Sequence, residues 1–181
     1  MDKTFDPRRL DIKAFAQAGA LLQGQSPLAH WPRLLDEQMP EGPGQERLVR
    51  WRLQGRMTPV TGGAPRVGMT LSAEVDLPMQ CQRCLTPVVE AVKAEREFAF
   101  VADEATAAAM DDESEEDVLV ISRDFDALAL VEDELILALP LVPRHDTCPQ
   151  DLPVEAADEA FEAASQRPNP FAALAALKKG E

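Results

Sequence analysis

The sequence predicts an α+β fold: an antiparallel β-sheet of about four main strands, barrel-like in its curl, covered by one long helix with further helices at the N-terminus. Two patterns carry this prediction. Apolar and polar residues alternate through most of residues 47–101, which is typical of strands with one buried face. Residues 126–139 place leucines at helical spacing, and Pro140 ends that segment.

The N-terminal segment, residues 5–37, looks helical with interruptions at glycine and proline. Ser26 as N-cap and Pro27 as first helical residue predict the start of a helix. The apolar residues that follow share one stripe: Leu28, Trp31, Leu34 and Leu35. We therefore expect this segment to be helical.

The chain has 181 residues, enough for one domain with its own core, which we place at residues 1–148. Within it, residues 103–117 hold eight acidic residues and no basic one, which predicts a disordered acidic loop. Residues 149–181 are predicted as an acidic linker followed by a short C-terminal helix, which Asn169 caps and Pro170 opens.

No apolar run approaches the roughly 20 residues of a membrane span, and the polar N-terminus lacks the apolar core of a signal peptide. The three cysteines fit reduced thiols or a metal better than a secreted disulfide framework. We therefore expect a cytoplasmic protein with no membrane partner. Two histidines and no tyrosine leave few groups for acid–base catalysis, so we expect that the protein is not an enzyme.

The net charge of −14 disfavours nucleic-acid binding by the overall field, and we expect no DNA partner. The charge is uneven, however. Residues 1–70 hold ten Lys and Arg against seven Asp and Glu, a net +3, whereas residues 71–181 carry eight against 25, a net −17. Any contact with a polyanion should therefore involve the N-terminal part.

One predicted strand carries arginines on its polar face, where Arg50, Arg52 and Arg56 alternate with apolar residues. Residues two apart on one strand face stand about 7 Å apart, comparable to the spacing of successive phosphates. The simpler interpretation is a half-buried strand with a solvated basic face. The sharper one is an RNA-binding stripe made of these three arginines.

Cys81 and Cys84 form a Cys-x-x-Cys between two predicted strands, and His145 and Cys148 repeat that spacing after the long helix. Together they make a Cys3His set, which has the ligand chemistry of a structural zinc site. Two alternatives stay open: a thiol redox pair, and plain small residues of a turn. The redox alternative is disfavoured because a strand, and not a helix, follows the motif.

Glu132 falls on the apolar face of the long helix, beside Leu128 and Leu135. A carboxylate in that position must find a partner or bind a proton. We expect a structural buried charge, paired with an arginine or with backbone amides, rather than a catalytic acid.

Three segments together resemble one protein family. They are Cys81-Gln-Arg83-Cys84, residues 131–146 (VEDELILALPLVPRHD) and residues 168–178 (PNPFAALAALK). In order and spacing they resemble the bacterial YceD family, the large ribosomal RNA subunit accumulation proteins, which also occur in plastids. Many relatives carry further cysteines after the Leu-Pro turn, where this chain keeps Cys148 with His145 as the substitute.

The resemblance implies a non-enzymatic ribosome-biogenesis factor that supports accumulation or processing of large-subunit (23S) ribosomal RNA. Its partners would be that RNA, a pre-ribosomal particle or a ribosomal protein. The residues themselves leave two other classes open: a zinc-stabilised protein–protein adaptor that does not contact RNA, and a Cys-x-x-Cys thiol redox protein.

Overall fold

The computed structural model describes residues 4–39, 47–111, 114, 116–150 and 161. The chain divides into two units, Met1–Asp146 and Thr147–Glu181, and the first of them holds the fold given below. The predicted C-terminal helix lies outside the described residues. None of the helices in the described part of the chain is long and apolar enough to cross a membrane.

Five strands and four α-helices follow one another along the described chain, with a short 3-10 turn at Leu28–His30. In order they are α1 (Ile12–Gln17), β1 (Leu21–Pro27), α2 (Pro32–Asp36), β2 (Leu48–Thr58), β3 (Arg66–Gln80), β4 (Pro87–Val101), α3 (Glu104–Asp111), β5 (Asp117–Val120) and α4 (Ala127–Leu137). A single sheet with a few helices around it confirms the α+β class.

The sheet is open and mixed, so the predictions of a barrel and of a wholly antiparallel sheet are wrong. The strands lie in the order β1-β2-β3-β4-β5, and β1 and β5 are not paired with each other in the described residues. The first three strand pairs are antiparallel, whereas β5 pairs with β4 in parallel. The parallel pair arises because α3 carries the chain back along the sheet before β5 begins.

The N-terminal segment contains a strand where the sequence predicted helix. β1 pairs with β2 along its whole length. Gly24 lies beneath the Trp51 ring, and a Cβ at this glycine would come within 2.6 Å of that ring, so the residue permits the strands to pair with the ring in place. Ser26 caps no helix, because its hydroxyl accepts a hydrogen bond from Trp31 Nε1 at 2.9 Å.

The acidic segment predicted as a disordered loop over residues 103–117 contains helix α3. Its sequence is rich in alanine, the residue with the highest helix propensity. Asp103 stabilises the first turn by accepting a hydrogen bond from Thr106 N–H at 2.9 Å. Local helix propensity therefore outweighs the charge of this segment.

Helix α4 has 11 residues and ends at Leu137, so it is shorter than the long helix predicted over residues 126–139. Asp126 caps its first turn by accepting hydrogen bonds from the N–H groups of Leu128 and Ala129. Its last turn closes on Ala138, whose N–H donates to Glu134 C=O at 3.0 Å.

The hydrophobic core lies on one face of the sheet. Odd-numbered residues of β3, such as Met69 and Leu71, are fully buried there. Helix α1 contacts β2 and β3, and α4 contacts β3 and β4, so that Phe15 and Leu135 complete the core. The opposite face of the sheet carries most of its polar residues.

β3 and β4 form a long hairpin that extends beyond β2. They stay paired as far as Gln80 opposite Pro87, whereas β2 pairs with β3 only as far as Glu74. Residues 75–80 and 87–92 therefore form a two-stranded arm, tipped by the turn at residues 81–86, which we call the knuckle.

Pro78 fits within this arm because its nitrogen faces the side where β2 has ended. There its C=O accepts a hydrogen bond from Met39 N–H at 2.9 Å. The missing N–H of proline therefore costs no bond to a neighbouring strand.

Candidate metal centre and open sheet face

The knuckle is a tight turn that holds two of the cysteines. Cys81 N–H donates to Thr86 C=O at 3.0 Å, and Leu85 N–H donates to Cys81 C=O at 2.9 Å. Leu85 has a φ of 60°, a left-handed conformation that is unfavourable for a residue with a Cβ. These bonds fold the turn so that the Cys81 and Cys84 sulfurs approach each other.

The segment after α4 is held against the knuckle. Pro143 C=O accepts a hydrogen bond from Gln82 N–H at 2.9 Å. Arg144 N–H donates to the Glu90 side chain on β4 at 3.3 Å. These two bonds place His145 beside the cysteines.

The predicted ligands come together. Cys81, Cys84, His145 and Cys148 each offer one ligand atom, and these atoms all lie within 4.8 Å of one another. In a tetrahedral site with Zn–S bonds of about 2.3 Å, sulfurs lie roughly 3.8 Å apart, so the cluster needs only small shifts to hold an ion. Three thiols and one imidazole are a donor set that fits zinc.

His145 is oriented as a ligand. Its Nε2 lies 3.0 Å from Pro87 C=O, and because a carbonyl only accepts, Nε2 is the protonated nitrogen. In the neutral imidazole, which is the form that binds a metal, Nδ1 then carries the lone pair and lies 3.4 Å from Cys84 Sγ. A backbone carbonyl that fixes the tautomer in this way is the usual outer partner of a metal-binding histidine.

Cys81 is fully buried and yet favours the thiolate. Burial raises the pKa of its thiol, but backbone N–H groups of Cys84, His145 and Arg83 outweigh burial and lower that pKa to about 5. The pKa of His145 is raised, chiefly by its hydrogen bond with Cys81. Since a thiol must lose its proton to bind a metal, Cys81 is already in the ligand form at neutral pH.

The same geometry does not favour thiol exchange. Cys81 has no exposed surface, and no helix begins at the knuckle. The attacking thiol of a redox pair is normally accessible and lies at a helix N-terminus.

The three arginines of β2 lie on the open face, but their charges are compensated to different degrees. Arg50, with 56% of its side chain exposed, pairs with Glu74 at 3.0 Å. Arg56 is only 26% exposed and pairs with two glutamates, at 2.8 and 3.1 Å. Arg52 is exposed and forms no ion pair with any described residue.

Lys93 joins this group through the strand register, which the sequence alone does not reveal. Arg50 and Lys93 both lie opposite Glu74, one on each side of β3. Arg50, Arg52 and Lys93 line one shallow hollow of about 260 Å³. Like Arg52, Lys93 makes no ion pair within the part of the chain that the structure describes.

Glu132 is 7% exposed and joins α4 to α2. Its Oε1 accepts hydrogen bonds from the backbone N–H groups of Arg33 and Leu34, at 2.9 and 3.2 Å. Its Oε2 accepts from the Arg33 guanidinium at 3.1 and 3.2 Å. Because Trp31, at the N-cap of α2, offers no capping side chain, this carboxylate from another helix serves as the cap.

A second buried carboxylate, Glu134, was missed by the sequence reasoning. It is 7% exposed and accepts a hydrogen bond from Arg96 Nε at 3.2 Å. Burial raises its pKa, while Arg96 lowers it by less. Arg96 was the available signal, because it interrupts the apolar face of β4 and needs an acidic partner.

Comparison with known proteins places the chain in a family. The family model described as "Large ribosomal RNA subunit accumulation protein YceD" matches residues 69–178. A protein of that name from Haemophilus influenzae is 35% identical over 117 residues, which cover 62% of this chain and 66% of the relative. The match thus spans slightly less than two thirds of the relative's length, and no solved structure matches the chain. The chain belongs to the YceD family of large ribosomal RNA subunit accumulation proteins.

Proposed function

We propose that the protein is a non-enzymatic ribosome-biogenesis factor that supports accumulation or processing of large-subunit ribosomal RNA and acts in the cytoplasm. The family membership supports the general role. The observation that carries the mechanism is the cationic group on the open sheet face, Arg50, Arg52 and Lys93, which line one hollow. These residues lie on β2 and β4, on either side of β3, so the strand register fixes the positions of their backbones.

RNA contact at this face would be local and weak. Two of the three cations have no acidic partner in the described residues, and Arg50 shares its charge with Glu74. At roughly −0.7 to −0.9 per neutralised phosphate, two to three contacts give a log–log salt slope of about −2. Arg56 adds little, because two glutamates already compensate its charge.

Zinc, in this proposal, has a structural role. Cys81, Cys84, His145 and Cys148 would hold it with four protein ligands, which leaves no open position for catalysis. When bound, the ion supplies a cross-link between the knuckle and the segment that follows α4. Of the cationic group, only Lys93 lies on the hairpin that carries the knuckle, since Arg50 and Arg52 belong to β2.

Charge reversal tests the RNA contact. Arg50→Glu with Arg52→Glu should abolish binding to a large-subunit RNA fragment, measured as a salt titration of affinity. Lys13→Glu with Arg123→Glu is the matched control: it changes the net charge equally at exposed residues that line a different hollow. An equal loss of RNA affinity in both double variants would indicate only a non-specific effect of net charge. Unchanged RNA affinity in the Arg50→Glu, Arg52→Glu variant would exclude this face as the RNA site.

A second candidate is a zinc-stabilised adaptor that binds a pre-ribosomal protein and never contacts RNA. The ion pairs of Arg50 and Arg56 favour it, because they reduce the charge available to phosphate. Crosslinking in cells, followed by sequencing of bound RNA and identification of bound proteins, separates the two. Recovery of protein partners alone would support the adaptor.

A further inference from the structure

The outer edge of β4 is paired only near its ends. β5 pairs with residues 98–101, and His145 bonds to Pro87 at the other end. Between them, residues 89–97 have β3 on one side and no strand on the other in the described part of the chain. This stretch is an unpaired strand edge within a sheet that is otherwise fully paired along β4.

The hydrogen bonds at both ends show which residues face this edge. Pro87 C=O accepts from His145 Nε2 at 3.0 Å, and Val101 C=O accepts from Ile121 N–H at 2.8 Å. Both acceptors are odd-numbered, and backbone groups point to alternate sides along a strand. The odd-numbered residues of the open stretch therefore direct their N–H and C=O groups outward, namely Val89, Ala91, Lys93, Glu95 and Glu97.

We propose that the 89–97 edge of β4 binds an extended segment of a basic partner protein, which adds to the sheet as a further strand. Strand addition of this kind takes its affinity from main-chain hydrogen bonds and its specificity from alternate side chains. The inference does not depend on the RNA contact, because it uses main-chain groups of the strand edge; Lys93 borders both surfaces.

The side chains at this edge indicate the partner's chemistry. Glu95 is exposed and has no ion pair in the described residues, and Val89 is 52% exposed. Arg96 pairs with Glu134 and Glu97 pairs with Arg56. The charges left along the edge are therefore those of Glu90 and Glu95 against Lys93, a net charge of one negative unit. Residues 71–181, which include this strand, carry a net charge of −17. A segment that alternates basic and apolar residues satisfies both the charge and the apolar surface.

A second copy of the chain fits this edge less well than a flexible segment. Two copies paired edge to edge would each bring β5 and residues 143–145 to the same place, since both flank the open stretch. An extended segment can bend away from the sheet at either end, and a folded sheet edge cannot. The site therefore selects an unstructured stretch of the partner.

The first test uses the full-length protein and a nine-residue peptide of alternating lysine and valine. The peptide should bind, and it should slow amide hydrogen exchange at Ala91, Lys93 and Glu95 by about tenfold or more, as expected for new strand hydrogen bonds. The same peptide N-methylated at alternate residues keeps its charge but cannot pair, so it should not bind. Equal binding of both peptides would overturn the proposal, as would amides already protected in the free protein.

The second test uses proline variants matched across the sheet. Ala91→Pro removes an outward N–H from the β4 edge, and Gln23→Pro removes one from β1, the opposite edge of the sheet. Peptide affinity should fall about tenfold in the first and stay within about twofold in the second. Equal affinity in both variants would exclude the β4 edge. Should Ala91→Pro lower the unfolding midpoint, the N-methylated peptide on the wild-type protein decides the question alone.

Discussion

Leu85 occupies a position that suits glycine better. Its φ of 60° costs a residue with a Cβ about 1–2 kcal/mol, and its side chain is 60% exposed, so little packing offsets this cost. Leu85→Gly should therefore raise the free energy of unfolding by up to about 1 kcal/mol, as measured by denaturant unfolding. Leu141→Gly is the control, because Leu141 is fully exposed with an ordinary φ and should lose stability or stay unchanged. If Leu85→Gly lowers the free energy of unfolding as much as Leu141→Gly does, the backbone at Leu85 is not strained.

Glu134 should make stability depend on pH. Burial raises its folded-state pKa above the ordinary 4.5, so its contribution is fully present below that ordinary value and is lost as pH rises through the folded pKa. Glu134→Gln, which resembles the protonated form, should become more stable relative to wild type as pH rises from 4 to 7. Chemical denaturation of both proteins across this pH range measures the difference. Parallel curves for Glu134→Gln and wild type would contradict the assignment.

At the scale of the elements, Glu132 decides how α2 meets α4. Its carboxylate receives two backbone N–H groups of α2 and the Arg33 guanidinium, in a nearly buried position. Glu132→Ala should cost about 3 kcal/mol, because it leaves buried donors without an acceptor. Arg33→Met should cost less, about 1 kcal/mol, since that side chain is half exposed.

Asp133→Asn provides the matched control for this pair. Asp133 also pairs with Arg33, but it is 47% exposed and touches no backbone amide of α2 in the described residues. Its loss should change the unfolding free energy by less than about 1 kcal/mol. Similar losses for Glu132→Ala and Asp133→Asn would show that the cap on α2 contributes nothing.

Elements with a regular pattern of apolar residues could be predicted from the sequence. Elements whose structure depends on pairing or packing with a distant segment could not. The alternation along β3 and the spacing of the cysteines are local signals, so the long hairpin and the candidate metal ligands could be predicted from the sequence. β1 carries Gly24 and Pro27, which resemble helix breaks, and it becomes a strand only because β2 pairs with it. Lys93 and Glu134 depend on strand register and helix rotation, which a single sequence does not specify.

At the scale of the whole molecule, we expect bound zinc to raise the free energy of unfolding. The isolated protein should contain about one zinc per chain, measured by elemental analysis, because four ligand atoms already lie within 4.8 Å. Removing it with a chelator should lower the unfolding free energy by about 4 kcal/mol from its value at a free zinc concentration a thousand times Kd. Cys84→Ser should abolish both the metal and the chelator effect, and His30→Ala, at the other histidine, should preserve them. A metal-free protein that unfolds at the same midpoint with and without chelator would exclude the site.

The strands of the sheet neighbour one another in the same order as in the sequence, which bears on how the chain folds. Successive strand pairs close short loops, whereas the bonds from Arg144 to Glu90 and from Arg33 to Glu132 span 54 and 99 residues. Short loops close faster, so we expect the sheet to assemble first and α4 to dock in a later, slower step. Refolding followed by Trp51 fluorescence in the sheet should therefore precede zinc uptake at the knuckle. During synthesis, the apolar face of the sheet would therefore stay exposed to solvent until α4 has left the ribosome.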